Sequence, residues 1–235
     1  MTHSALSMQY LIRKFSVVSL SALALLATTA LAGEQKLPEV DTDGLHLVKD
    51  SNVQIAYIKP GADFSKFDKV ILLDCFVEFR EKWAKDYNLD ALGLQGRVTD
   101  RDVERIKQDL ATEFREVFSE ELAEDGFPVV DQPGPGVLLL RPAIVNLDIA
   151  APDMMKANRG NTWVRSAGQM TLYMEMYDAE TDELLARVID AKADSGNMSR
   201  IASSATNQAA ARRIIRRWAS LLSDHLMEVR GGASS

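Results

Sequence analysis

The pattern of apolar and polar positions is clearest between Val137 and Ile149, where the chain reads VLLLRPAIVNLDI. Val137 to Leu140 is continuously apolar, as in a strand covered on both faces. Beyond it Ala143, Val145, Leu147 and Ile149 alternate with Ile144, Asn146 and Asp148, the period of a strand with one wet face. Pro142 has no N–H to give a ladder, which predicts a bulge or an edge position between the two halves.

The same reading places the other elements. Val53 to Ile58 is a short extended segment, followed by a turn at Lys59 to Asp63. Lys69 to Phe79 reads as one strand. Arg80 to Gly96 is irregular, with a helical turn or two over Arg80 to Asp86. Thr99 to Glu124 is the clearest helix: Thr99 and Asp102 stand at capping-box spacing, and Val103, Ile106, Leu110, Phe114, Val117, Phe118 and Leu122 form one stripe. Gly126 ends it, Phe127 to Val130 is a short strand, and residues 131–136 form a tight loop into Val137. Gln169 to Tyr177 and Leu184 to Ala193 form a hairpin about the turn Asp178 to Asp182. Ala150 to Arg165 and Ser195 to Thr206 are polar excursions. Gln208 to Arg230 is a second long helix, with Ile215, Trp218, Leu222, Leu226 and Val229 on one face.

This order of elements predicts a single α/β domain of the α+β type: a mixed, largely antiparallel sheet with two long helices packed on one face. The other face is then exposed or lightly covered, a natural place for a partner. Residues 51–230 form the domain, 33–50 a flexible leader and 231–235 a disordered tail.

Residues 1–32 read as an export signal. Arg13 and Lys14 precede an apolar run from Phe15 to Leu31, and Ala30-Leu31-Ala32 is a small-x-small cleavage site. Leu31-Ala32-Gly33 begins a lipobox, but Glu34 stands where the lipid-bearing Cys would be. The expected location is therefore the periplasm after cleavage near Ala32, with outer-membrane association as the alternative. No later stretch has the roughly 20 apolar residues of a membrane span.

Charge narrows the partners. Loss of residues 1–32 removes Arg13 and Lys14 and no acids, taking the net charge from −7 to −9, which argues against nucleic acid. The single Cys75 lies in an apolar run, where a buried, inert thiol is expected. The partners expected are an envelope protein or a cell-wall component.

Catalytic signals are sparse. His46 and His225 have no Cys partner, and Asp41-Thr42-Asp43-Gly44 resembles a fragment of a calcium loop but lacks its remaining oxygen ligands and reads as a solvated turn, so neither metal nor cofactor is expected. There is no G-x-S-x-G elbow, no P-loop and no G-x-G-x-x-G. The enzyme alternative is a carboxylate-dependent hydrolase of envelope glycans, with Asp148 and Asp190 meeting across the sheet and Glu78 joining them.

Two clusters suit binding. Phe79, Arg80, Trp83, Asp86, Tyr87 and Asn88 gather aromatics and both charge signs into ten residues, the composition of an interface anchor or of an amphipathic turn that covers the core. Arg212, Arg213, Arg216 and Arg217 make a basic strip on the last helix, either an anion-binding surface or a face neutralised by neighbouring acids.

Lys59-Pro60-Gly61-Ala62-Asp63-Phe64, Phe79-Arg80-x-x-Trp83-x-x-Asp86-Tyr87-Asn88, Leu140 to Asp148 and Ala151-Pro152-Asp153 together resemble a bacterial family of exported proteins known as a domain of unknown function. The resemblance covers nearly the whole chain after the signal and implies an exported, lipoprotein-like protein. It implies no activity and no site residues. The expectation is a non-enzymatic periplasmic binding or scaffold module.

Overall fold

The computed structural model describes residues 37–90, 97–149, 162–164, 168–193, 200–202 and 204–232. The expected signal over residues 1–32 and the end of the tail lie outside them.

Strand β5 (Val137–Ile149) is the axis of the sheet. On one side it pairs antiparallel with β7 (Gly168–Asp178), which pairs with β8 (Glu183–Ala193), then β2 (Ile55–Ile58), then β1 (His46–Leu47). On the other side lie β3 (Lys69–Leu72) and β4 (Phe76–Phe79), both parallel to β5. A parallel pair needs a crossover, and helices α1 (Trp83–Asp90) and α2 (Asp100–Glu124) supply it. Helix α3 (Ser204–Gly232) closes the chain, and a separate ribbon pairs β6 (Thr162–Val164) with β9 (Arg200–Ala202) inside the two polar excursions.

Lys69 to Phe79 is two strands rather than the expected one. Leu73 N–H still donates to Leu140 O at 3.0 Å. By the two-residue period Pro142 turns its nitrogen the same way, towards the β3–β4 side, and has no hydrogen to give. The neighbouring strand breaks there and resumes at Phe76, opposite Ala143. Pro142 thus sits neither on an edge strand nor in a bulge; its cost falls on its neighbour. The bulge comes later, where Val145 to Asp148 spans Thr171 to Gln169 and Asn146 takes φ +53°. That inserted residue reverses the phase: Leu147 joins Ile144 in the helix-side core instead of following Val145.

The capping box at Thr99 and Asp102 forms as the spacing predicts. The stripe of α2 from Ile106 to Leu122 and that of α3 from Ile215 to Leu226 meet Leu138, Leu140, Ile144, Met170, Leu172, Met174 and Met176 in one core. Both long helices therefore cover the same face of the sheet. Phe127 to Val130 contributes a single bridge, Val129 to Val70.

Gly136 fixes the entry to β5. It has φ +74°, and a Cβ there would lie 2.9 Å from Asp68 Oδ1 and 3.3 Å from Lys66 O. Gly136→Ala is expected to lose more than about 1 kcal/mol of stability, read as a lower urea midpoint.

Candidate functional site

Among the described residues both long helices lie on one face of the sheet, and the other, the helix-free face, is organised in rows, because cross-strand partners share a face. One row runs Arg141, Glu175, Arg187, Tyr57 across β5, β7, β8 and β2. The next runs Phe76, Ala143, Tyr173, Ile189, Ile55 from β4 to β2. On a face that merely meets water these outward positions would be polar. Here they are apolar or aromatic, Phe76 is 53% exposed and the other four are half-buried.

The charged row centres on Glu175, which is 7% exposed. Tyr173 and Tyr177 each donate a hydroxyl to it at 2.7 Å, Arg187 donates from Nη2 at 3.0 Å and from Nε at 3.3 Å, and Arg141 donates from Nη1 at 3.3 Å. Burial acts to raise the Glu175 pKa, but the two hydroxyls and the Arg187 guanidinium outweigh it and hold the carboxyl below its ordinary value. Burial and the same carboxylate push the Tyr177 phenol up to about 12 and shift Tyr173 upwards as well. At neutral pH the group is a carboxylate among protonated phenols and guanidiniums. It suits electrostatic fastening and leaves no proton poised for acid–base chemistry.

What it fastens is the N-terminal segment. Arg187 Nη1 donates to Asp41 Oδ2 at 2.6 Å and Nη2 to Asp43 Oδ2 at 2.7 Å, while Tyr57 OH donates to Pro38 O at 2.9 Å. Asp41 Oδ1 also accepts the N–H groups of Asp43 and Leu45, and Leu45 is buried. From residue 37 on, the stretch expected as a leader adds β1 to the sheet and straps this face. The acidic turn read as a solvated calcium-loop fragment is the Arg187 partner. Sequence spacing offers no sign of this, since Arg187 lies 146 residues from Asp41.

Stability should follow pH accordingly. Glu175 has a folded pKa below its 4.5 reference value, so its contribution is complete above about pH 4.5 and is lost as pH falls through the folded value. Unfolding free energies from urea titrations should fall between pH 5 and 3 in the wild type, with a flatter slope in Glu175→Gln.

The aromatic-charged segment packs inward. Trp83 is 2% exposed, stacks on Phe79 at 4.0 Å and on Tyr87 at 5.8 Å, and donates its indole N–H to Ile149 O at 3.3 Å. Asn88 exchanges two hydrogen bonds with the backbone of Val98. Arg80 bridges Asp86 at 2.7 Å and Asp148 at 2.8 Å. Asp148 pairs in register with Gln169, so this bridge marks the β5 end of the helix-free face.

On α3, Arg212 pairs with Glu113 and Glu120 and Arg216 with Glu121, tying α3 to α2, while Arg213 and Arg217 are exposed.

Asp148 and Asp190 do not form a carboxylate pair. Asp190 pairs across the sheet with Leu172 of the helix-side core, whereas Asp148 pairs with Gln169 on the other face. Asp190 instead accepts from Trp218 Nε1 at 2.8 Å and Gln54 N at 3.0 Å. Glu78 pairs with Lys107 of α2. Two carboxylates on opposite faces have no common substrate atom, and this overturns the hydrolase alternative. Burial pushes the Cys75 thiol up to about 12, leaving it unreactive at neutral pH. Among the described residues there is no metal-ligating cluster and no helix long and apolar enough to cross a membrane.

These features define a two-layer α/β domain with a helix layer on one side and a strapped, part-apolar sheet face on the other. The chain belongs to the family described as a protein of unknown function, DUF3313, whose model matches residues 41–222. The match begins at Asp41, the strap residue on Arg187. No curated protein matches the chain. Among solved structures it is similar to the PelC dodecamer from Paraburkholderia phytofirmans, at 11% identity and a TM-score of 0.37, over 72% of this chain and 96% of that one. A single-residue variant of that dodecamer aligns at 10% identity and a TM-score of 0.35, over 72% and 95%.

Proposed function

We propose that this protein is a non-enzymatic binding or scaffold module of the bacterial cell envelope, exported to the periplasm, and that it works through the helix-free face of its sheet. The observation that carries this reading is the row Phe76, Ala143, Tyr173, Ile189, Ile55: five in-register outward positions with apolar or aromatic side chains where water alone would favour polar ones. An apolar row with one exposed aromatic, bordered by a charged row, supports an interaction site here. The signal-like residues 1–32 support export. Within the segment 79–88, Phe79, Trp83, Tyr87 and Asn88 form a support that holds Arg80 and Asp86 at the rim of this surface.

Phe76→Asp and Ile189→Lys are expected to weaken capture of the envelope partner by about tenfold or more, with thermal melts close to wild type. Met227→Glu, on the exposed surface of α3, should leave capture unchanged. Equal capture by all three variants would move the working surface off this face.

A further inference from the structure

The charged row of the helix-free face already has an occupant, and that occupant belongs to the chain itself. Arg187 is anchored to Glu175 through Nε and Nη2, and Asp41 and Asp43 of the strap also bind its Nη1 and Nη2. Arg141 reaches the same Glu175 and keeps a third of its side-chain surface in water. Without the two strap carboxylates, this row would hold two guanidiniums against one carboxylate, a net positive charge fixed on a sheet. A planar guanidinium with free N–H groups takes carboxylates in preference to neutral acceptors. The strap's own hold is short. Strand β1 has two residues, and Asp43 is half exposed, so the Asp43 ion pair is screened and exchangeable. The Asp41 pair and Leu45 are largely buried and are the contacts a competing segment must replace.

We propose that the turn Asp41 to Gly44 is a placeholder in cis, and that the docking face takes an acidic peptide segment of a partner protein, which displaces the turn and sets its carboxylates on Arg187 and Arg141. The proposal rests on the reading of this face as the working surface and adds the chemistry of its partner. The tether between strap and β2 is short, so the placeholder acts at an effective concentration on the order of millimolar and sets the affinity a partner must exceed. The half-exposed row beside it, from Phe76 to Ile55, would receive the apolar residues of the same segment.

The test uses the whole chain after residue 32, as wild type and as Asp41→Asn/Asp43→Asn. Asparagine keeps an Oδ1 for the N–H groups of Asp43 and Leu45, so the turn is retained while the contact to Arg187 is lost. The probe is a fluorescent peptide with the sequence of residues 38–48, PEVDTDGLHLV, and the control is its counterpart with Asn at both strap positions, which keeps Glu39 as its only acidic side chain. Anisotropy should show the double variant binding the acidic peptide about tenfold or more tightly than wild type does, with no such gain for the control. Adding Arg187→Lys should remove the gain, because the bidentate fork is lost. A folded double variant that treats the Asp and Asn peptides alike would overturn the proposal. So would a concentration-dependent wild-type dimer that the double variant dissolves, since Arg187 would then serve strap exchange between two copies. A photoreactive residue at Phe76 separates this failure from that of the docking face: a partner adduct without peptide binding removes the placeholder alone, and peptide binding without an adduct removes the docking face.

Discussion

Arg187→Ala is expected to lower folding stability by roughly 3–5 kcal/mol, the range for breaking a buried ion pair from one side. Arg187 is 10% exposed and touches Glu175, Asp41 and Asp43, so its removal leaves a buried carboxylate held by the Tyr173 and Tyr177 hydroxyls and by Arg141. The same change unties the strap. Limited proteolysis should therefore cut residues 37–50 faster than the rest of the domain, and the urea midpoint should fall. Arg187→Lys should be intermediate, because an ammonium keeps the charge but reaches fewer of the three carboxylates. A midpoint within the error of wild type for Arg187→Ala would mean that the row is decoration on a fold held elsewhere.

The second large effect lies on the opposite face. Asp190 is fully buried, and its two oxygens take the indole N–H of Trp218 and the backbone N–H of Gln54, with Lys192 on Oδ1 at 2.9 Å. It thereby fastens α3 to the sheet next to the start of β2. Asp190→Ala would orphan the buried Trp218 indole N–H and take the acceptor from the part-buried Gln54 N–H, so a loss of roughly 3 kcal/mol is expected. Asp190→Asn should not rescue it, because an amide turns a donor towards one of the two N–H groups. The readouts are the urea midpoint and a red shift of tryptophan emission as Trp218 meets water. A full rescue by asparagine would contradict the hydrogen-bond assignment.

Local chemistry made much of the fold legible. The Thr99 capping box, the stripe of α2, the hairpin of β7 and β8 and the long run of β5 are all set by spacings of a few residues, and the sheet with two helices on one face follows from their order. What was not legible depends on register. Nothing near Lys69 to Phe79 shows that Pro142, on another strand, will break that run. Nothing near Val145 shows that Asn146 will take a left-handed turn and reverse the phase of β5.

The candidate surface was legible only as a consequence of the fold, a sheet face away from the two long helices. Its rows bring together Phe76, Ala143, Tyr173, Ile189 and Ile55 from five separate strands. Trp83 and Tyr87 show the converse difficulty: a large aromatic with a polar tip has the same composition at an interface and under a core, and here the Trp83 tip is satisfied by Ile149 O. Asp41 and Asp43 sit in a polar stretch that reads as a loose leader because their partner, Arg187, is in β8.

The most direct test of the docking face is site-specific photocrosslinking in living cells, with the photoreactive residue placed at Phe76 and, in a parallel strain, at Met227 on α3. Both positions are exposed, and they lie on opposite layers of the domain. The account predicts one dominant envelope adduct from Phe76 that is lost in Ile189→Lys, and none of that adduct from Met227. The same adduct from Met227, with none from Phe76, would place the working surface on the helices and contradict it.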